Sequence, residues 1–164
     1  MVGLLASVVF LISGCATLQK PVVWNISIDK TTPASIEVDL IGITASEIPA
    51  WESMNVDKYL APGSQLRKDA DKNTVDLKMG KQLVLSKTDP KWSGWLLPGG
   101  RGVDHLVIIA NLPGQWQAGT GDWRRKIIPL DKRAWQAKND TLEFQVKDTE
   151  ISEMTARTPR GKQE

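Results

Sequence analysis

The chain has one cysteine, Cys15, and one histidine, His105, among its 164 residues. A single cysteine excludes an internal disulfide. A single histidine leaves no His/Cys cluster to hold a metal, and a catalytic triad would have to be gathered around His105 from distant positions. Neither sign of charge is in excess: 21 Lys and Arg against 19 Asp and Glu, scattered rather than drawn into a stripe, give no support to nucleic-acid binding. No apolar run reaches the roughly 20 residues that a membrane-crossing helix needs. Phenylalanine and tyrosine are scarce, two and one, against seven tryptophans.

What is present begins at the first residue. Met1 to Gly14 carries no charge, is built almost wholly of apolar and small side chains, and ends Leu11-Ile12-Ser13-Gly14 before Cys15. About a dozen apolar residues suit the central region of a secretory signal peptide. The small side chains of Ser13 and Gly14 let a peptidase approach the backbone, and thioether chemistry requires a cysteine next. We therefore expect residues 1–14 to be a lipoprotein leader, removed in the mature protein, and Cys15 to carry the acyl chains that bind membrane lipid. The start, Met1-Val2-Gly3, departs from the usual pattern in having no Lys or Arg. Ala16 and Thr17 follow the cysteine, and the absence of Asp there favours the outer membrane, with the domain facing the periplasm.

Residues 15–21 show no periodicity and read as a lipidated tether. Residues 22–154 then read as a domain large enough to bury a core without disulfides, and residues 155–164 as a polar tail expected to fray. Val22, Trp24, Ile26 and Ile28 alternate with Val23, Asn25 and Ser27, and Ile36, Val38, Leu40 and Gly42 with Glu37, Asp39 and Ile41, the period of a half-buried strand. From Thr44 to Leu60 the spacing turns helical, with Ser46 and Pro49 suited to a first turn, so one or two short helices are predicted. Ser64 to Asn73 reads as polar and exposed. Strand character returns at Thr74–Met79 and Gln82–Leu85, where Gly80-Lys81 suggests a hairpin. Thr88 to Gly102, with two prolines and four glycines, reads as a long loop. Leu106-Val107-Ile108-Ile109-Ala110 reads as a central strand buried on both faces, and further strands are expected at Trp123–Leu130, Thr141–Val146 and Thr149–Met154. The sum is mainly β, a β-sandwich of about seven or eight strands with one or two short helices inserted.

The tryptophans divide by context. Trp24, Trp51 and Trp123 fall on apolar faces and read as core. Trp92, Trp95, Trp116 and Trp135 lie in loops or at strand edges among Gly, Pro, Lys and Gln. They would either cover the open ends of the sandwich or, with Arg101, present rings to a glycan or protein partner. Leu97 to Gly102 lacks the Lys-Ser/Thr pair and following helix of a phosphate-binding loop. His105, at the head of a strand, reads as structural, and Glu37, Asp39 and Asp104 form no evident acid–base pair. No cofactor is implied.

The order of elements resembles the type VI secretion outer-membrane lipoproteins of the TssJ family. The resemblance rests on Ser35-Ile36-Glu37-Val38-Asp39-Leu40, the helical stretch Ile48 to Leu60, and His105-Leu106-Val107-Ile108-Ile109-Ala110 followed by Trp123-Arg124 and Ile127-Ile128-Pro129-Leu130. It implies a transthyretin-like sandwich with added helices and no enzymatic activity. It also implies a role anchoring an envelope-spanning secretion complex at the outer membrane, with the periplasmic domain of an inner-membrane protein as partner. Two departures stand out: the turn Lys30 to Ala34 is shorter than the family's loop between its first strands, and Asn111-Leu112-Pro113-Gly114 replaces a more polar aromatic run. The alternative reading is a lipid-anchored module that binds glycan or peptide through the loop tryptophans. An envelope hydrolase ranks last, for want of a nucleophile–base pattern.

Overall fold

The computed structural model describes residues 22–96, 98–114 and 121–159. Eight strands form two four-stranded sheets: β1 (Asn25–Lys30), β2 (Ile36–Ile43), β3 (Lys72–Leu77), β4 (Gly80–Leu85), β5 (His105–Ala110), β6 (Arg125–Pro129), β7 (Thr141–Val146) and β8 (Ile151–Glu153). One sheet runs β4-β1-β7-β8 and the other β3-β2-β5-β6. Four short helices accompany them, α1 (Ile48–Ser53), α2 (Val56–Leu60), α3 (Gln65–Asp69) and α4 (Lys91–Trp95), with 3-10 turns at Ala45–Glu47 and Lys132–Ala134. The protein is mainly β, a sandwich, as its alternating patterns predict.

The two sheets differ in what covers them. Trp24 just before β1, Ile26 and Ile28 from β1, and Leu142, Phe144 and Val146 from β7 face Val38 and Leu40 from β2 and Leu106 and Ile108 from β5, making the main core. The opposite face of β2 and β5 carries Ile41, Ile43, Val107 and Ile109, which pack on Val56 and Tyr59 of α2 in a second, smaller core. That is why Leu106 to Ala110 is apolar without alternation: β5 is central and buried on both sides. The helices are amphipathic and short, so packing rather than propensity holds them in place.

Several expectations need correction. The segment after Leu60 is not simply exposed coil, because Ser64 accepts from the Arg67 N–H and caps α3. The proposed hairpin is a corner: β3 pairs with β2 in one sheet and β4 with β1 in the other. Gly80 makes that turn at φ +91°, open to glycine at little cost. Asn73 Nδ2 then donates across it to the Val84 carbonyl at 3.2 Å. The long loop from Thr88 contains α4, and the tail does not fray where it is described. There Gln136 N–H bonds Ala156 O at 2.9 Å, Thr158 N–H bonds Ala134 O at 2.9 Å, and Arg157 stacks 3.8 Å over the Trp135 ring.

The free edge of β6 is occupied at its two ends. Ala110 N–H bonds Arg124 O and Leu130 N–H bonds Asp104 O, so by alternation the backbone groups of Arg125, Ile127 and Pro129 point away from β5. Arg125 N–H is taken by Asp122 O. Pro129 has no N–H, and its carbonyl accepts from Trp135 Nε1 at 2.8 Å. At the far end of the sandwich the buried Lys30 donates to the Thr32 carbonyl, closing the short β1–β2 turn.

Candidate functional site

Four tryptophans close one end of the sandwich, each with its indole N–H satisfied. Trp24 donates to Leu130 O at 2.9 Å, Trp135 to Pro129 O at 2.8 Å, Trp92 to Ser86 O at 2.8 Å and Trp95 to the Asp71 carboxylate at 2.9 Å. These acceptors lie beside the start of β1, the end of β6, the end of β4 and the start of β3, which is one end of both sheets. Trp92 and Trp95 are 3% and 0% exposed and meet edge to face at 5.6 Å. Of the two readings for these rings, cover for the core is the one the structure supports; neither offers a face to a ligand. The sequence placed them in a loop because Pro90, Gly94 and Pro98 surround them, but a single helical turn needs no periodicity to form. Trp135 is likewise buried, and Trp123, read as core, is 59% exposed. Trp116 and Cys15 lie outside the described residues.

Arg101 does occupy a site. Its loop folds back on α4 through Gly100 N–H to Leu96 O, Arg101 N–H to Gly94 O and Val103 N–H to Trp95 O, all at 2.8–3.0 Å. This aims the guanidinium at a cleft of about 470 Å³ on the outer face of β2, between α1 and α3. Arg101 lies 3.3 Å from Glu47 and 3.6 Å from Asp71, spanning the cleft mouth, and reaches the Gly42 carbonyl at 3.5 Å. Trp51 of α1, Met54 just after it and Leu66 of α3 supply apolar walls, and Leu66 is 48% exposed. Glu47 also accepts from the Thr44 N–H and hydroxyl at 2.7 and 2.9 Å, so one carboxylate both caps the helical segment and anchors Arg101. Asp71 accepts from Lys91 Nζ at 2.6 Å; that bond, helped by Trp95 and Arg101 and opposed by partial burial, holds its carboxyl below the usual value. Sequence reasoning found Arg101 but not Trp51, Leu66 or Asp71 as its neighbours, because the cleft forms only when three separate segments converge.

Beside the cleft is a buried ionic cluster. The Asp39 carboxylate, fully buried, accepts from Arg67 Nε at 2.7 Å and Nη2 at 3.2 Å, from Thr74 Oγ1 at 2.6 Å and from Tyr59 OH at 2.9 Å. Arg67 also pairs with Glu37 at 2.8 Å. Burial pushes the Asp39 carboxyl up, but the bonds from Arg67, Thr74 and Tyr59 outweigh it and hold it below the ordinary value. Burial, with the neighbouring Asp39 charge, drives the Tyr59 phenol upward. The cluster is saturated: its acceptor capacity is spent on structure, which leaves Asp39 no lone pair directed at a substrate. On the opposite flank Arg124, gripping Asp122 at 2.7 Å and Asp57 at 2.7 Å, ties β6 to α2. Arg125 donates at 2.6 Å to the Met54 and Glu52 carbonyls, the last turn of α1. His105 Nδ1 sits 2.8 Å from Asp104 Oδ1 at the head of β5.

These carboxylates give the stability a pH signature. Asp39, Asp71 and Asp122 are all held below their unfolded value of about 3.9. A lowered folded value means the stabilisation is fully present above that pH and is lost as pH falls through the folded values. Urea midpoints measured from pH 7 downward are therefore expected to stay level to about pH 5 and to drop below about pH 4. A midpoint already falling between pH 7 and 5 would contradict the assignment.

No family model matches the sequence, and no curated protein matches it either. Among solved structures the fold is similar to Serratia marcescens Lip, described as a membrane-bound component of the type VI secretion system. Identity is 13%, covering 80% of this chain and 96% of that one at a TM-score of 0.47. It is also similar to the T6SS lipoprotein TssJ1 from Pseudomonas aeruginosa, at 11% identity, covering 85% of this chain and 99% of that one, again with a TM-score of 0.47.

Proposed function

We propose that this chain is a bacterial envelope lipoprotein that is cut before Cys15, acylated there, and serves as a non-enzymatic block tying a type VI-like secretion assembly to the outer membrane. The observation that carries the reading is the uncharged apolar leader ending Leu11-Ile12-Ser13-Gly14 directly before the chain's one cysteine. Two or more acyl chains give lasting membrane attachment, whereas a single chain gives only marginal attachment. The six residues from Ala16 to Pro21 would hold the sandwich off the lipid, reaching at most about 20 Å when extended. The element order resembling the secretion lipoproteins supplies the particular assembly, and the partner would be the periplasmic domain of an inner-membrane component. The buried ionic clusters support a docking role in a different way: they fix the helical layer rigidly on its sheet, and rigid elements make precise contacts.

The test is metabolic labelling of the native host with an alkyne fatty acid, comparing the wild type with Cys15→Ser. The wild type should take up label, lose residues 1–14 and fractionate with outer membranes. The variant should stay unlabelled and accumulate as the longer precursor. Unlabelled wild-type protein that keeps its leader would end the proposal.

A further inference from the structure

We propose that the cleft between α1 and α3 is a docking site for an extended protein segment that presents a bulky aliphatic side chain beside a lysine or arginine. The inference rests on the docking-block reading and goes beyond it by naming the surface and the chemistry of what binds. The cleft holds about 470 Å³, the size of a few side chains rather than of a whole element. Its walls are apolar where they could have been polar: Leu66 is 48% exposed, with Trp51 facing the same space. A long aliphatic side chain gains most by leaving water in such a place.

Charge decides what should accompany it. Three carboxylates line the cleft, Glu47, Asp69 and Asp71, against one cation, Arg101. Arg101 is shared between Glu47 and Asp71, and Asp71 is further paired with Lys91 at 2.6 Å, while the Asp69 carboxylate accepts from the neutral Gln65 amide at 2.7 Å. Glu47 and Asp71 are thus paired with cations and Asp69 is the lining carboxylate that holds only a neutral partner, so a cation arriving beside Leu66 meets Asp69 with no competing positive charge in its hydrogen-bonding shell. An acidic segment would be repelled by Asp69, which supplies specificity as well as attraction. Arg101 acts as a strut: by bridging the start of the helical layer to the residue before β3 it keeps the mouth open at a fixed width, so little ordering cost falls on binding.

The experiment is a titration of the protein as its native host produces it, purified in detergent micelles whether or not Cys15 carries label, following the Trp51 indole and Leu66 methyl resonances. The probes are two synthetic peptides, acetyl-Gly-Lys-Leu-Lys-Gly-amide and its counterpart with glutamates in place of lysines. The basic peptide should shift both resonances saturably, while the exposed Leu83 methyl on β4 stays still. Asp69→Lys and Leu66→Ser should each weaken the interaction at least fivefold with the rest of the spectrum unchanged, since neither side chain is part of the core. Equal shifts with both peptides, or no saturable shift at Trp51, would overturn the proposal. Failure of the anchoring reading is separately visible, as loss of fatty-acid label at Cys15 with the titration unaffected.

Discussion

Replacing Trp95 with alanine is expected to lower stability by about 3–5 kcal/mol, the usual cost of emptying a large aromatic site in a core. For a domain of this size that is a fall in Tm of roughly 10 °C. The side chain is 0% exposed, packs edge to face on Trp92, and donates its indole N–H to Asp71. Removing it opens a cavity and takes from Asp71 one of the groups that stabilise its charge. The same site can be probed from the strand beneath. Gly42 lies in β2 opposite Leu106, and a Cβ built there would stand 2.6 Å from Trp95 Cδ2. The glycine is required for room, not for backbone freedom. Gly42→Ala in the native background should cost about 1–3 kcal/mol by overpacking. With Trp95→Ala already present the methyl has space, and the added cost should fall well below 1 kcal/mol, giving clear non-additivity. Additive losses in thermal melts of the two single variants and the double variant would show that the ring does not rest on Gly42.

The second large effect is at Asp39. Asp39→Ala removes one acceptor and strands three donors: the Tyr59 hydroxyl, the Thr74 hydroxyl and the Arg67 fork. Breaking a buried pair from one side typically costs about 3–5 kcal/mol, because the remaining partner is left desolvated and uncompensated. Arg67 keeps Glu37 and some solvent access, with a side chain 21% exposed, which places the expected loss toward the lower end of that range. Losing the cluster should loosen α2 and α3 before the sandwich opens, since Tyr59 and Arg67 carry the hydrogen bonds that tie those helices to β2. Hydrogen exchange of Asp39→Ala should then show faster exchange in residues 56–69 than in β5. Uniform acceleration across the protein would argue that the helical layer and the sheets unfold as one unit.

The strands were legible in the sequence because alternation is a local signal. Ile36, Val38 and Leu40 face one way, Glu37 and Asp39 the other, and the sheet must oblige. The unbroken run Leu106 to Ala110 correctly marked a strand covered twice. Less was legible where structure depends on distant partners. Nothing near Trp92 and Trp95 announces a helix; the turn exists because two indoles find acceptors at Ser86 and Asp71, one before it and one twenty-four residues earlier. Gly80-Lys81 marked a reversal but could not say whether the chain returned to the same sheet. The cleft was half visible. Arg101 drew notice as a cation in a glycine-rich loop, while Leu66 resembled any surface leucine until α3 set it facing Trp51. Trp123 misled because strand periodicity at Ile127 and Leu130 does not extend to a turn residue outside the ladder.

The guarded ends of the β6 edge matter most when many copies share a surface. Molecules confined to a membrane plane encounter one another at effective concentrations far above those in free solution. An unguarded strand would then invite sheet-to-sheet polymerisation. A proline without its N–H, a carbonyl already claimed by an indole and an amide folded into its own turn shorten the backbone that a neighbouring copy could pair with at this rim to Ile127 and the Arg125 carbonyl. At such densities the guarded ends limit how far one copy could zip onto another through β6.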